Sequence, residues 1–89
     1  MTLPGFSDFA FTHDGSERRV YRRGDGPGVV VIHEIPGITP EVRGFGERVA
    51  SAGFSAFMPT LFGVPDKPAS PGYIATEIAR ACIAKEFAV

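Results

Sequence analysis

The sequence predicts an α/β fold built on a parallel strand-helix-strand unit, and three observations predict it. The segment Gly28 to Gly37, GVVVIHEIPG, carries an unbroken run of four β-branched residues, the pattern of a parallel strand covered on both faces. Thr39-Pro40-Glu41 then places a capping hydroxyl, a proline at the first helical position and an acid in the first turn, which together start a helix. Phe54 to Met58 follows as a second short apolar strand, so residues 28–58 form a β-α-β unit with parallel strands and a right-handed crossover.

The elements follow in order. Within residues 1–27, Phe9 and Phe11 alternate around Ala10, His13-Asp14-Gly15-Ser16 turns the chain, and Arg19 to Arg22 returns it. This is a β-hairpin, with Asp14-Gly15 supplying the positive-φ turn. Arg18, Arg19, Arg22 and Arg23 flank Val20 and Tyr21, as expected of the solvated face and ends of an edge strand rather than of a phosphate site. In the helix, Val42, Phe45, Val49 and Ala52 share one face while Arg43, Glu47 and Arg48 face solvent, and Gly53 ends it. Burying Val42, Phe45 and Val49 on the sheet contributes about 1.5–3 kcal/mol each before ordering entropy is subtracted. Residues 59–72 read as a Pro/Gly loop through Pro65, Pro68 and Pro71. Residues 73–89 carry a last helix from Tyr73 to Phe87, with Ile74, Ile78 and Cys82 on one face.

Composition limits the function. With 44% hydrophobic and 21% charged residues the chain is folded, and 11 Gly and 8 Pro make it rich in loops. A net charge of −1 with interspersed signs offers no footprint for nucleic acid or an anionic membrane surface. One cysteine, Cys82, excludes an internal disulfide and fits a reducing compartment. Residues 1–5 carry no charged segment leading into an apolar one, and no apolar run approaches a membrane span, so a cytoplasmic location is expected.

Ligands of open α/β sheets bind at the carboxyl ends of the strands, which is where Glu34 and Ile35 fall. Two readings of His33-Glu34 stand: the pair delivers polar groups into a site, or it closes the strand and bonds to nearby backbone. A zinc motif H-E-x-x-H is excluded because Gly37 stands at the second histidine position and Pro36 breaks the helix, and His13 is isolated in a turn. No metal is expected. Gly24 to Gly28 precedes a strand instead of following one, the wrong order for a dinucleotide, and no cofactor is expected. Cys82 reads as a buried, inert thiol on a helix face. Ser7, Ser16, Ser51, Ser55 and Ser70 all lack the G-x-S-x-G frame of an activated serine.

The run VVVIHEIPGITPEVRGFGERVASAGFSAFMPTLFG resembles the front of the dienelactone hydrolase family within the α/β-hydrolase fold, and RACIAKEFAV resembles a continuation seen in one of its branches. Strand, H-E-I-x-G turn, helix, strand and P-x-L-F-G loop occur in the family's order. The resemblance implies the N-terminal part of an α/β-hydrolase sheet, incomplete, acting on a small ester or lactone substrate through a covalent intermediate. It implies that Glu34 contacts the resting nucleophile and that the Ile35 backbone N–H is an oxyanion-hole donor. Pro36 favours that geometry by pushing Ile35 towards extended backbone, although the commoner family form has an aromatic residue there. The family's cysteine or serine nucleophile, aspartate and histidine have no counterpart among these 89 residues. Its substrate-carboxylate arginines also cannot be carried over, so Arg43 and Arg80 stay unassigned.

The chain alone is therefore expected to be inactive. In the hydrolase order the nucleophile strand lies beside Val29 to His33, so this chain is expected to expose an apolar strand edge that invites pairing. A non-catalytic half-domain that pairs through that edge with a complementing C-terminal half, or with itself, is the alternative. A free-standing binding module would need a closed pocket, which so short a chain is not expected to build.

Overall fold

A computed structural model describes residues 3–83. Its elements are β1 (Ser7–His13), β2 (Ser16–Arg23), β3 (Gly28–Val30), α1 (Pro40–Ser51), β4 (Ser55–Pro59) and α2 (Pro71–Ile83). The strands form one sheet in the order β1-β2-β4-β3.

β1 and β2 pair antiparallel from Ser7 opposite Arg22 to His13 opposite Ser16. Asp14 and Gly15 turn the chain at φ 50° and 77°, the left-handed pair that matches a two-residue turn to the strand twist. β2 continues antiparallel onto β4, and β4 pairs parallel with β3. The hairpin followed by a parallel β-α-β unit and a further helix is thus the architecture of the chain. The arginine-rich strand expected at an edge is instead internal, because β2 lies between β1 and β4. Its arginines are engaged by neighbours: Arg19 pairs with Asp8 (3.4 Å), Arg22 lies 5.5 Å from the centre of the Phe57 ring, and Arg23 reaches Glu47 (3.4 Å).

α1 starts where its cap predicts. The Thr39 hydroxyl accepts from the Val42 N–H at 3.4 Å, and Gly53 leaves the helix at φ 99°. Its packing face is rotated from the expected one. Val42 and Val49 pack on the core, whereas Phe45 is 49% exposed beneath the Arg48 guanidinium. Gly46 faces the sheet closely enough that a Cβ there would lie 2.7 Å from Met58 Sδ. Only the missing side chain lets the helix settle this deep, and the bulky Phe45 is displaced to the rim.

The core gathers Leu3, Tyr21, Val31, Ile38, Ala56 and Met58, with Phe6, Val29, Val42 and Val49 packed against it. The β-branched run 29–32 was expected to be covered on both faces, and it is not. Val29 and Val31 turn inward, while Val30 and Ile32 are 64% and 63% exposed. Among the described residues β3 pairs on one side only and carries a helix on one face, so the alternation that the apolar sequence hides appears in the exposures.

α2 begins at Pro71, earlier than its periodicity suggests, because Ser70 caps it: the Tyr73 N–H donates to Ser70 Oγ at 3.2 Å. Among the α2 residues whose burial is described, Tyr73 and Glu77 are buried, and the expected Ile78 is exposed. The reason is the Tyr73 hydroxyl, which accepts from the Val64 N–H at 2.7 Å and so fixes the helix by one side chain against the preceding loop. The Cys82 side chain and the stretch on to Phe87 lie outside the described residues. No helix among the described residues is long and apolar enough to cross a membrane.

Gly46→Val is expected to destabilise the chain by about 1–3 kcal/mol through overpacking against Met58. Urea unfolding checks this: the midpoint falls while the denaturant slope holds.

Candidate functional site: the turn after β3

β3 hands over to the turn through one last ladder bond, from the Val31 N–H to the Phe57 carbonyl at 2.8 Å. Two residues on, His33 is buried at 4% exposure. The Leu61 N–H donates to its Nε2 at 2.9 Å, and its Nδ1 lies 2.9 Å from the Glu34 carbonyl oxygen. A backbone N–H can only donate, so Nε2 is the bare acceptor and the proton of the neutral ring sits on Nδ1, where it donates to Glu34. Phe62 meets the ring edge-on at 4.8 Å between centres. Burial holds the His33 pKa below the ordinary value, opposed by the bond to the Glu34 carbonyl.

The segment after His33 is seated directly on the loop after β4. The Ile35-Pro36 peptide is cis. Gly63 sits at φ 81°, and a Cβ there would collide with the Pro36 carbonyl, so this contact needs glycine. The Asp66 N–H donates to the Ile38 carbonyl at 2.6 Å, binding the far end of the turn to the same loop.

Glu34 and Ile35 lie at the carboxyl end of β3, as the sequence places them. Among the described residues no group bonds the Glu34 carboxylate, and no acceptor takes the Ile35 N–H. The Glu34 side chain is exposed. A recess of about 500 Å³ opens there, lined by Ile32, His33, Glu34, Ile35, Leu61 and Phe62. Glu34 also borders a groove of about 570 Å³ between β3 and α1. Of the two readings of His33-Glu34, the histidine takes the backbone-bonding one and the glutamate does not.

Arg43 and Arg80 are engaged within the fold. Arg43 Nε donates to Asp66 at 2.7 Å and Nη1 to Glu47 at 3.2 Å, while Arg80 meets Glu77 at 3.1 Å. With Arg23 on Glu47, the chain Arg23-Glu47-Arg43-Asp66 ties β2, α1 and the loop after β4 together. Among the described residues no three His, Cys, Asp or Glu side chains are grouped to hold a metal ion. The partner that the sequence does not reveal is Leu61 on His33, because it lies 28 positions away and no local pattern points to it.

The profile of the dienelactone hydrolase family matches residues 18–85. A search of curated protein sequences finds no significant match. Among solved structures, an epoxide hydrolase from an endophytic Streptomyces is 25% identical with a TM-score of 0.58, over 75% of this chain and 21% of its own. A protein described as m3DLH is 19% identical with a TM-score of 0.62, over 90% of this chain and 36% of its own. An epoxide hydrolase from Vigna radiata is 18% identical with a TM-score of 0.60, over 96% of this chain and 29% of its own. The chain thus spans between 21% and 36% of the length of these three structures. With its strands in one mixed sheet, a profile match over most of its length and these neighbours, the chain has part of an α/β-hydrolase fold and belongs to the dienelactone hydrolase family.

Proposed function

We propose that this chain contributes the oxyanion-hole turn of an ester or lactone hydrolase. Glu34 contacts the resting nucleophile and the Ile35 N–H receives the developing oxyanion of the substrate carbonyl. The observation that carries this reading is the Ile35 amide, left without an acceptor among the described residues in a residue that, with Glu34, lines the recess. A fixed backbone donor in a water-poor site contributes about 3 kcal/mol of transition-state stabilisation. Attack on the carbonyl, proton transfer and orientation of the base require a nucleophile, a histidine and an aspartate that these 89 residues do not pair in the family's pattern. The reading places the enzyme in the cytoplasm, in keeping with the single cysteine.

A second reading has its own observation. Among the described residues β3 is an edge strand, with Val30 and Ile32 exposed, which suits pairing with a complementing C-terminal half or a second copy.

Assayed alone against p-nitrophenyl acetate and a dienelactone, the chain is expected to show no turnover above background, and turnover that disappears in Glu34→Gln would refute its dependence on an external nucleophile. Placed ahead of the nucleophile-bearing portion of a dienelactone hydrolase, it is expected to support hydrolysis. Ile35→Pro, which deletes the donor, should then lower kcat by roughly 10²–10³; an unchanged kcat removes Ile35 from the oxyanion hole. Sedimentation velocity addresses pairing with a second copy: concentration-dependent association abolished by Ile32→Lys is expected, and a monomer at all concentrations contradicts self-pairing.

A further inference from the structure

The peptide between Glu34 and Ile35 joins two observations that belong to one planar group. Its carbonyl oxygen faces His33 Nδ1 at 2.9 Å, and its N–H has no acceptor among the described residues, in a residue that lines the recess. A peptide unit is rigid, and C=O and N–H point in opposite directions across a trans bond. Whatever fixes the carbonyl therefore aims the N–H. His33 is itself fixed from its other side, because Leu61, in the loop after β4, donates to Nε2 at 2.9 Å.

We propose that His33 is a positioning residue for the Ile35 amide: its neutral ring, clamped between the Glu34 carbonyl and the Leu61 N–H, orients the 34–35 peptide, and a second proton on the ring undoes the clamp. The catalytic meaning of this role rests on the oxyanion reading above, whereas the clamp itself does not. A proton on Nε2 would face the Leu61 N–H donor to donor, so that bond must break and the ring loses its anchor on β4's loop. Phe62 meets the ring edge-on and the residue is only 4% exposed, so the ring is packed on one side while it borders the recess on the other. The charged and titratable groups around the clamp are the Glu34 carboxylate in the same recess, Arg18 of β2, whose Nη1 donates to the Leu61 carbonyl at 3.0 Å, and Tyr73 of α2 through its hydroxyl on Val64.

The sign of the pH dependence follows from burial, which lowers the His33 pKa in the folded chain. The unfolded chain then takes the proton first, so the contribution of the clamp is complete above the ordinary value of about 6.5 and is lost as pH falls through the lower folded midpoint.

Amide NMR of the 89-residue chain tests the proposal. As pH falls, the Leu61 and Ile35 amide signals are expected to move together with one midpoint below about 6.5, and Leu61 exchange should quicken by about fivefold or more. His33→Gln, with an uncharged acceptor, is expected to hold Leu61 protection with no such step, and His33→Ala to shift Ile35 while Val31 and Met58 stay protected. If Leu61 responds and the Ile35 signal does not, in the titration and in His33→Ala alike, His33 only ties a loop and the proposal falls. The wild-type titration decides the question even if His33→Ala does not fold. These signals read the clamp without turnover, so they stand apart from the kcat test of Ile35→Pro, which alone judges the oxyanion reading.

Discussion

A neutral imidazole joins the two segments that make the carboxyl end of this sheet. His33 takes an N–H from Leu61 and gives its own to the Glu34 carbonyl, and both groups are backbone atoms that would otherwise be buried or half-buried without partners. Leaving such a group unpaired costs about 1–3 kcal/mol, more than the bond itself contributes. The turn therefore depends on one side chain in one tautomer. Lysine or arginine could not replace it, having no acceptor, and a carboxylate could not, having no donor at neutral pH.

Around that junction the remaining contacts act in the same direction. Gly63 lets the loop after β4 touch the Pro36 carbonyl, Asp66 closes onto Ile38, and Tyr73 secures Val64 from α2. The Arg43-Asp66 ion pair adds α1 to the same loop. It is partly exposed, and pairs of that kind contribute little individually; its use here is to fix where the loop lies. The turn is thus held from the sheet, both helices and the loop, while Glu34 and the Ile35 amide are left unengaged among the described residues. A frame held that tightly around two free polar groups is what binding chemistry needs, since orientation gained in folding is not lost again on meeting a substrate.

The sequence made legible whatever its local chemistry determines. Asp14-Gly15 dictates a hairpin turn and Thr39-Pro40 a helix start, each through backbone geometry that neighbouring residues settle. The turn after β3 was also legible, because a β-branched run cannot pass into Pro36-Gly37 without ending a strand. Facing was less so. Four β-branched residues in a row look the same whether a strand is covered on one face or two, and Val30 and Ile32 belong to the exposed side. On α1 a phenylalanine outweighs a glycine in any apolar pattern, yet it is Gly46 whose missing side chain sets the depth of packing. The α2 face turned on a single tyrosine hydroxyl. For His33 the local half, bonding to nearby backbone, was one of the two readings the sequence offered; the Leu61 half was not legible, because it joins residues 28 positions apart through a side chain whose role depends on where its proton sits.

Long-range ¹⁵N–¹H correlation of the His33 ring above neutral pH tests this account at its base. A protonated Nδ1 and a bare Nε2 correlated through the hydrogen bond to the Leu61 amide proton are expected. A proton resident on Nε2, or a ring averaging between tautomers, would contradict it.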